Sequence, residues 1–563
     1  MSIWRPGPNA FVVPESTESP CFQGEAGSGG RTADCDHASG LHFPRRPNPL
    51  QRWQPILSRP VGMPNLFAYL AIFTWPIVTI LMFRMMPLQK ALVWSLIGGY
   101  LLLPTGTEIK FPMLPAIDKA MVTCVPALIL CLLMAPAQPP TRDPLARTGR
   151  HVLVYLLAIV LVSPILTVVQ NTAPVIDGRT YLPGLRLYDA FGLISQVLVS
   201  LIPFWLGLRY LNSREGHRII LKALALGGLA YTIPVLFEVR FSPQLHTWVY
   251  GFFPHSFAQH IRNGGFRPVV FLSHGLLVGI FLCISAIAAI ALFREAKREG
   301  KSATKWLLSG LWLLAVLLMS KNFGAMSIAV GLAAAVLLLG RRPQVTLAVI
   351  VATVVILYPI LRGAGWIPVN AAHDIVQSID AERAASLKFR LDNEDALLAR
   401  ANEKPLAGWG SWGRNMIYDP ATGQSISTVD GIWIILIGVF GWIGYIGRFG
   451  LLTAPILFFA LRRSVTRPSF IPVGVIMVLC ATLIDLLPNS GLENYVWLIA
   501  GAVAGYVLWQ QAPTEDGVAS GAVSGSSTAG PLPEPTRASW LMPDTGPTRQ
   551  RSTREAEARR SRR

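Results

Sequence analysis

Between residues 66 and 509 the chain is a succession of thirteen apolar runs, near 66–83, 88–103, 120–135, 152–169, 190–208, 219–237, 269–292, 306–320, 323–339, 345–361, 441–461, 471–487 and 496–509. Runs of that length match a hydrocarbon core about 30 Å thick. Only 14% of the 563 residues are charged and the mean hydropathy is +0.46, whereas a soluble chain carries about 25% charged residues. A soluble enzyme, a collagen-like fibre and a wholly disordered chain are excluded. The expected fold is an all-α polytopic membrane protein with twelve or thirteen transmembrane helices.

The excess of 49 Lys and Arg over 31 Asp and Glu, a net +18, would suggest nucleic acid in a soluble domain. Here much of it sits in short loops beside apolar runs, which is the positive-inside pattern and an attraction to membrane lipid headgroups. No nucleic-acid partner is expected. Loops 209–218, 294–305, 341–342 and 462–467 read as cytoplasmic. They leave 170–189, 238–268 and the long 362–428 on the opposite, periplasm-like side. With a cytoplasmic C-terminus, thirteen crossings place the N-terminus outside, yet Arg45, Arg46, Arg52 and Arg59 argue for inside. One early run, between 66 and 135, is therefore expected to be re-entrant or misassigned, leaving twelve crossings.

Composition divides the chain further. Residues 1–63 are rich in Pro, Gly, Ser and Arg and read as a disordered tail. Residues 64–264 carry the N-terminal transmembrane helices, 265–510 a second membrane core that includes the 362–428 loop, and 511–563 a disordered basic tail. Cys124, Cys131, Cys283 and Cys480 lie in apolar runs and Cys21 and Cys35 in the N-terminal tail, with no C-x-x-C. Neither a disulfide framework nor a metal site is indicated, and no cofactor is expected.

The 362–428 loop is too long for a plain connection. From Asp374 to Glu403 it lacks Pro and Gly, and Ile375, Ile379, Leu387, Leu391 and Leu398 recur at roughly helical spacing. An amphipathic helix lying at the membrane surface is expected.

Basic residues on the far side of a membrane protein invite a functional account. Arg262, Arg267 and Arg390 fall in the two outer loops, and a guanidinium fork fits phosphate oxygens bidentately. A plain alternative for Arg390 is an ion pair with Glu394, four residues on. Residues 408–413, GWGSWG, match a dinucleotide pattern without the flanking strand and helix. They read instead as a glycine turn after Pro405, with Trp409 and Trp412 at the membrane interface or stacked on sugar. Asp430 follows Ser427 and Thr428, so it belongs either to a helix cap or to a cavity mouth, where a carboxylate can accept a proton from an attacking hydroxyl. Glycines at 438, 441, 444, 447 and 450 suit close helix packing or a broken helix lining a cavity. His255, Gln259 and Arg262 would share one face if 255–262 were helical, and His255 is a secondary candidate.

Four segments, in this order, resemble the O-antigen ligase and Wzy-type polysaccharide polymerase superfamily. Gly265-Phe266-Arg267-Pro268, running on to Ser273-His274-Gly275, is similar to the family's arginine segment entering a helix. Met319-Ser320-Lys321-Asn322-Phe323-Gly324-Ala325 resembles its Ser-Arg-Gly-Ala turn, with lysine for arginine. Ser386 to Arg390, then Pro405-Leu406-Ala407-Gly408-Trp409-Gly410, resemble its S-x-x-x-R and P-L-x-G-x-G elements. Asp430-Gly431 through Gly441-Trp442-Ile443-Gly444 resembles its last element.

The resemblance implies a GT-C-like, metal-independent, inverting glycosyltransferase of the bacterial inner membrane. Its donor would be an undecaprenyl-diphosphate-linked glycan at the periplasmic face, its acceptor a glycan or a lipid-linked molecule. Arg267 and Arg390 match the diphosphate-binding arginines, Asp430 the base position and Lys321 a supporting cation. Ligases carry histidine where this chain has Asp430, and Gly431 replaces the usual Asn, which favours polymerisation of O-antigen or exopolysaccharide units, or a divergent transferase, over ligation. A transporter or flippase of lipid-linked glycans is the alternative. It would need internal repeats and charges near mid-membrane.

Overall fold

A computed structural model describes residues 62–110, 115–135, 143–262, 264–369, 373–374, 377–378, 381–411, 413–462 and 469–509. The tails expected at 1–63 and 511–563 lie outside these, apart from residues 62 and 63. Of the described residues 73% are helical and 3% in strands, an all-α architecture. Among the described residues seven helices are long and apolar enough to cross a membrane: α1 (Leu66–Met85), α4 (Pro144–Gln170), α5 (Leu187–Tyr210), α6 (Arg214–Phe241), α8 (Gly275–Arg298), α11 (Arg341–Gly363) and α13 (Ile432–Leu461). Six shorter apolar helices are also described: α2 (Leu88–Leu102), α3 (Lys119–Met134), α9 (Thr304–Met319), α10 (Phe323–Leu338), α14 (Phe470–Asp485) and α15 (Asn494–Trp509). A short α7 (Leu245–Tyr250) and the amphipathic α12 (Ala381–Asn402) lie in the connections.

Helix position follows from where the apolar residues fall. α8 is apolar on every side until its last turns and is buried over 89% of its apolar window, as a helix without a polar face must be. α1 is also strongly apolar but only 28% buried, so its outward side chains face the surroundings. α8 is capped by His274, whose Nδ1 accepts from the Leu276 amide at 3.1 Å, and it ends on Lys297 and Arg298, which suit the negative end of the helix dipole.

The first three helices each run the full distance between the two ends of the bundle. The Asn65 amide, before α1, donates to Tyr250 O, and Tyr250 OH donates to Leu102 O at the end of α2. At the opposite end Gln89 donates to Tyr210 O and Tyr210 OH donates to Cys131 O, at the start of α2 and in the last turn of α3. The thirteen apolar helices of the described residues alternate in direction, and α2 and α3, of 15 and 16 residues, are shorter than the seven long ones. Packing against Tyr210 and Tyr250 sets the direction of the first three.

One end of the bundle, hereafter the basic end, carries Arg209, Arg214, Arg218, Arg294, Arg298, Arg341 and Arg342. The other, the loop end, carries two antiparallel hairpins, β1 (Val175–Asp177) with β2 (Thr180–Leu182) and β3 (Ile261–Arg262) with β4 (Gly265–Phe266), as well as α12.

α13 is broken at Gly441, where φ is 67° and ψ −175°. A break frees backbone groups that lipid cannot satisfy, and residues 405–410 supply the partners. The Trp409 and Gly410 amides donate to Gly438 O (2.8 Å) and Val439 O (3.0 Å), while the Trp442 amide donates to Pro405 O (2.7 Å). Gly408 and Gly410 hold φ of 68° and 88°, a region glycine enters without a Cβ penalty. Residues 405–410, which include the first glycines of GWGSWG, are thus the plug of a broken helix.

Candidate functional site

Arg390 and Asp430 meet at the loop end, with Nε 3.4 Å from Oδ2. α12 brings Arg390 there because its following turns are anchored against the bundle. Leu397, Leu398 and Ala401 are buried, and Arg362, closing α11, donates to Asp395 Oδ2 at 2.9 Å and Leu391 O at 3.1 Å. Glu394, the expected partner of Arg390, is turned to this anchored face, where Tyr358 OH donates to it at 3.5 Å and Arg362 lies 3.9 Å away. Burial pushes the Glu394 carboxyl up to about 7, with Arg362 opposing. The amphipathic helix expected over 374–403 is described as Ala381–Asn402; Ile375 and Ile379 lie outside the described residues.

Asp430 is not a helix cap. α13 starts from Gly431 with no side-chain cap. Ser427 Oγ instead accepts from the Ile417 amide at 2.9 Å, and the Thr428 amide donates to Asn393 Oδ1 of α12 at 3.0 Å. That second bond ties the 428–431 segment to the helix bearing Arg390. Burial raises the Asp430 carboxyl above its usual range, and the Arg390 charge opposes the rise.

Arg267 reaches the same region from the 261–274 segment. Its stem lies across Gly275, where a Cβ would collide with Arg267 Cγ and Cδ. Its amide donates to His260 O at 2.8 Å. Behind it, the buried Glu238 of α6 accepts from the amides of Val269 and Val270, each at 2.7 Å, and of Leu245 at 2.9 Å. One carboxylate thus gathers three otherwise buried donors and sets the path of the chain leaving Arg267.

Residues 255–262 are not one helix. A 3-10 turn over Phe257–His260 leads into β3, so His255, Gln259 and Arg262 do not share a helical face. His255 packs against His274 instead, with ring centroids 4.8 Å apart, and His260 stands 4.7 Å from His274. His260 is committed through both nitrogens: Nδ1–H donates to Ser256 O (2.9 Å) and Nε2 accepts from the Gly275 amide (3.3 Å). Burial first, then the neighbouring His260 and His255, then the charges of Arg267 and Arg390, push His274 down to about 3. His274 is therefore neutral, and both arginines lie within electrostatic reach of it. Among the described residues no group of three or more His, Cys, Asp or Glu is arranged to hold a metal ion.

Lys321 occupies the turn between α9 and α10 at φ 58°, and its Nζ lies where a side chain on Gly265 would collide with it. It therefore stands over the β3–β4 hairpin that leads to Arg267. The adjacent Asn322 donates to Gly275 O at 3.1 Å. Arg262 pairs with Gly265 across the hairpin; its side chain is outside the described residues, as is Trp412.

Trp409 is not placed to stack on sugar. It is 9% exposed, its ring carries the Arg400 guanidinium at 3.7 Å and Lys404 Nζ at 4.3 Å, and its Nε1 donates to Arg400 O at 2.7 Å. The sequence reading does not single out Glu238 or His260. An acidic residue near the end of an apolar run is the signal that marks Glu238; nothing local marks His260.

The loop end thus joins two guanidinium groups, a carboxylate with raised basicity and a neutral histidine cluster, a set able to hold an anion beside a proton acceptor. No protein-family model matches this chain, and no curated protein matches it.

Proposed function

We propose that the protein is a membrane glycosyltransferase acting on a lipid-diphosphate-linked glycan at the loop end of the bundle, with a GT-C-like arrangement of thirteen crossings. The positive-inside rule assigns the basic end to the cytoplasm, so the site faces the periplasm of a bacterial inner membrane. The observation that carries this reading is the pairing of Asp430 with Arg390, with Arg390 and Arg267 both within electrostatic reach of His274. The acceptor hydroxyl attacks the anomeric carbon as its proton passes to Asp430. The bond from that carbon to the diphosphate oxygen breaks, and the departing charge is held by Arg267 and Arg390, with Lys321 beside them. Cations placed in advance stabilise charge that develops only at the transition state. Attack opposite the leaving group inverts the anomeric centre.

The Arg390–Asp430 contact suits this chemistry. A diphosphate that draws Arg390 onto itself removes the charge that opposes the effect of burial on Asp430, so donor binding makes the carboxylate a stronger base. With Asp430-Gly431 at the base position, we favour polymerisation of O-antigen or exopolysaccharide units over ligation.

The test is transfer by the purified protein in lipid, given an undecaprenyl-diphosphate-linked oligosaccharide. Release of undecaprenyl diphosphate with a lengthened glycan is expected, and it is lost in Arg267→Ala, Arg390→Ala and Asp430→Asn while the protein stays in the membrane. Full transfer by all three variants would refute the assignment. One observation favours the second reading, a transporter of lipid-linked glycans. Arg448 of α13 is buried beneath the break, 4.0 Å from the Phe440 ring and 3.5 Å from Ser163 Oγ, with no carboxylate at ion-pair distance among the described residues, and charges within a bundle often mark a transport path. Movement of the intact donor across the bilayer, with no glycosidic bond changed, would select it.

A further inference from the structure

A cavity of about 400 Å³ opens at the basic end, between α6, α8, α9 and α14, far along the bundle from the arginine site. Its polar wall holds Arg218, Lys222, Lys301 and Lys305 with Glu295 and Glu299, and Trp306 lines one side. The two carboxylates are already engaged. Glu295 pairs with Arg214 and, at 3.5 Å, with Arg298, and accepts from the Phe470 amide at 2.8 Å. Glu299 pairs with Arg214, Arg218 and Lys301. Lys222 and Lys305 have no carboxylate at ion-pair distance among the described residues, so the cavity keeps a surplus of positive charge.

Both lysines stand at the head of an apolar stripe. On α6, Lys222 shares its face with Leu226 and Ile233, which are 45% and 75% exposed. On α9, Lys305 shares its face with Leu308 and Trp312, 60% and 49% exposed. The spacings of four and eleven residues, and of three and seven, keep each set on one side of its helix. The two stripes are joined where Trp312 Nε1 donates to Thr232 Oγ1 at 3.3 Å. A soluble phosphate compound would use the cations alone. A molecule with a phosphate head and a hydrocarbon tail would use the cations and the stripes together.

We propose that this cavity is a binding site for an anionic phospholipid of the leaflet at the basic end, its phosphate held by Lys222 and Lys305 and an acyl chain laid along the α6–α9 seam. Basic pockets between membrane helices at this level bind such headgroups, and the neighbouring Arg218 and Lys301 hold the rim in shape through Glu299. The inference does not depend on the glycosyltransferase reading.

The full chain, purified in mixed micelles with phosphatidylglycerol and phosphatidylcholine, tests it by native mass spectrometry of retained lipid. Selective retention of phosphatidylglycerol is expected. In Lys222→Gln/Lys305→Gln that retention falls about thirtyfold, from about 1 kcal/mol for each lysine, while Lys297→Gln, on an exposed residue outside the cavity, leaves it unchanged. Leu226→Lys, which keeps the headgroup cations and charges the tail path, also lowers retention. Equal retention of both lipids would overturn the proposal, as would an unchanged double variant with normal elution and thermal stability. Displacement of the lipid by millimolar inorganic phosphate with no dependence on Leu226 would assign the cavity to a soluble phosphate and overturn it too.

Discussion

Gly408 and Gly441 face each other backbone to backbone: a Cβ on Gly408 would lie 2.6 Å from the Gly441 nitrogen, and one on Gly441 would strike the Leu406 carbonyl. Both hold left-handed φ, 68° and 67°. The contact welds the 405–410 segment into the break of α13, and it fixes where the long outer loop returns to the bundle.

Gly441→Ala is expected to destabilise the protein by at least about 1–3 kcal/mol from the φ alone, with the collision added. Thermal unfolding in detergent should show a clear fall in Tm. Gly324→Ala, at a glycine whose added Cβ meets nothing within 4 Å, should leave the Tm nearly unchanged. Equal melting of the two variants would show that the plug does not hold the break.

The acid limb of the activity profile should report Asp430. The carboxylate must be ionised to take a proton, so transfer falls as pH drops through its raised value. Arg390 lowers that value while burial raises it. Arg390→Gln removes the opposing charge, so the limb of the residual activity moves to higher pH. A limb that stays in place, or moves down, would separate Asp430 from the titration that controls the reaction.

Glu394 predicts a pH-dependent docking of α12. Its folded value of about 7 stands above the ordinary 4.5, so the folded state holds the proton more tightly than the unfolded one. The associated stability is complete below about pH 4.5 and is lost as pH rises through about 7. Glu394→Gln should flatten the stability profile between those limits and leave the variant relatively more stable at pH 8. Thermal unfolding of both proteins across pH 5–8 makes the comparison, and parallel profiles would remove Glu394 from it.

Glu238 is expected to act on Arg267 through the backbone. Glu238→Ala leaves the amides of Leu245, Val269 and Val270 without their acceptor, at about 1–3 kcal/mol for each buried donor left unpaired. Limited proteolysis within 267–271 should speed up, and transfer should fall mainly through weaker donor binding, with partial recovery in Glu238→Gln. Unchanged cleavage with reduced turnover would instead indicate a direct role for Glu238 in the reaction.

Part of the candidate arrangement is legible in the sequence. Arg267, Arg390 and Asp430 stand out because charges are scarce beside long apolar runs, and each does lie at the loop end. The partner of Arg390 was not legible. Spacing offers Glu394, one helical turn away, but Glu394 is drawn inward by Tyr358 and Arg362 while Arg390 pairs with Asp430. The face relation of His255, Gln259 and Arg262 fails for a similar reason: the chain needs a tight turn before the β3–β4 hairpin, and a short hairpin carries no apolar period to announce it. Trp409 looked available for sugar because a tryptophan near an interface usually is; only the fold shows Arg400 and Lys404 seated on its ring.

The amino-acid order alone determined the thirteen apolar helices, because a hydrocarbon environment leaves a long apolar run little choice but to satisfy its backbone within itself. It also determined which end of the bundle is basic, since those charges cluster at helix ends that flank short connections. The direction of the first three helices, the exchange of Glu394 for Asp430 beside Arg390, and the threading of Gly408 into the break at Gly441 were decided only by tertiary structure. Each depends on side chains or carbonyls from distant segments competing for the same buried space, and no local spacing encodes the outcome of that competition.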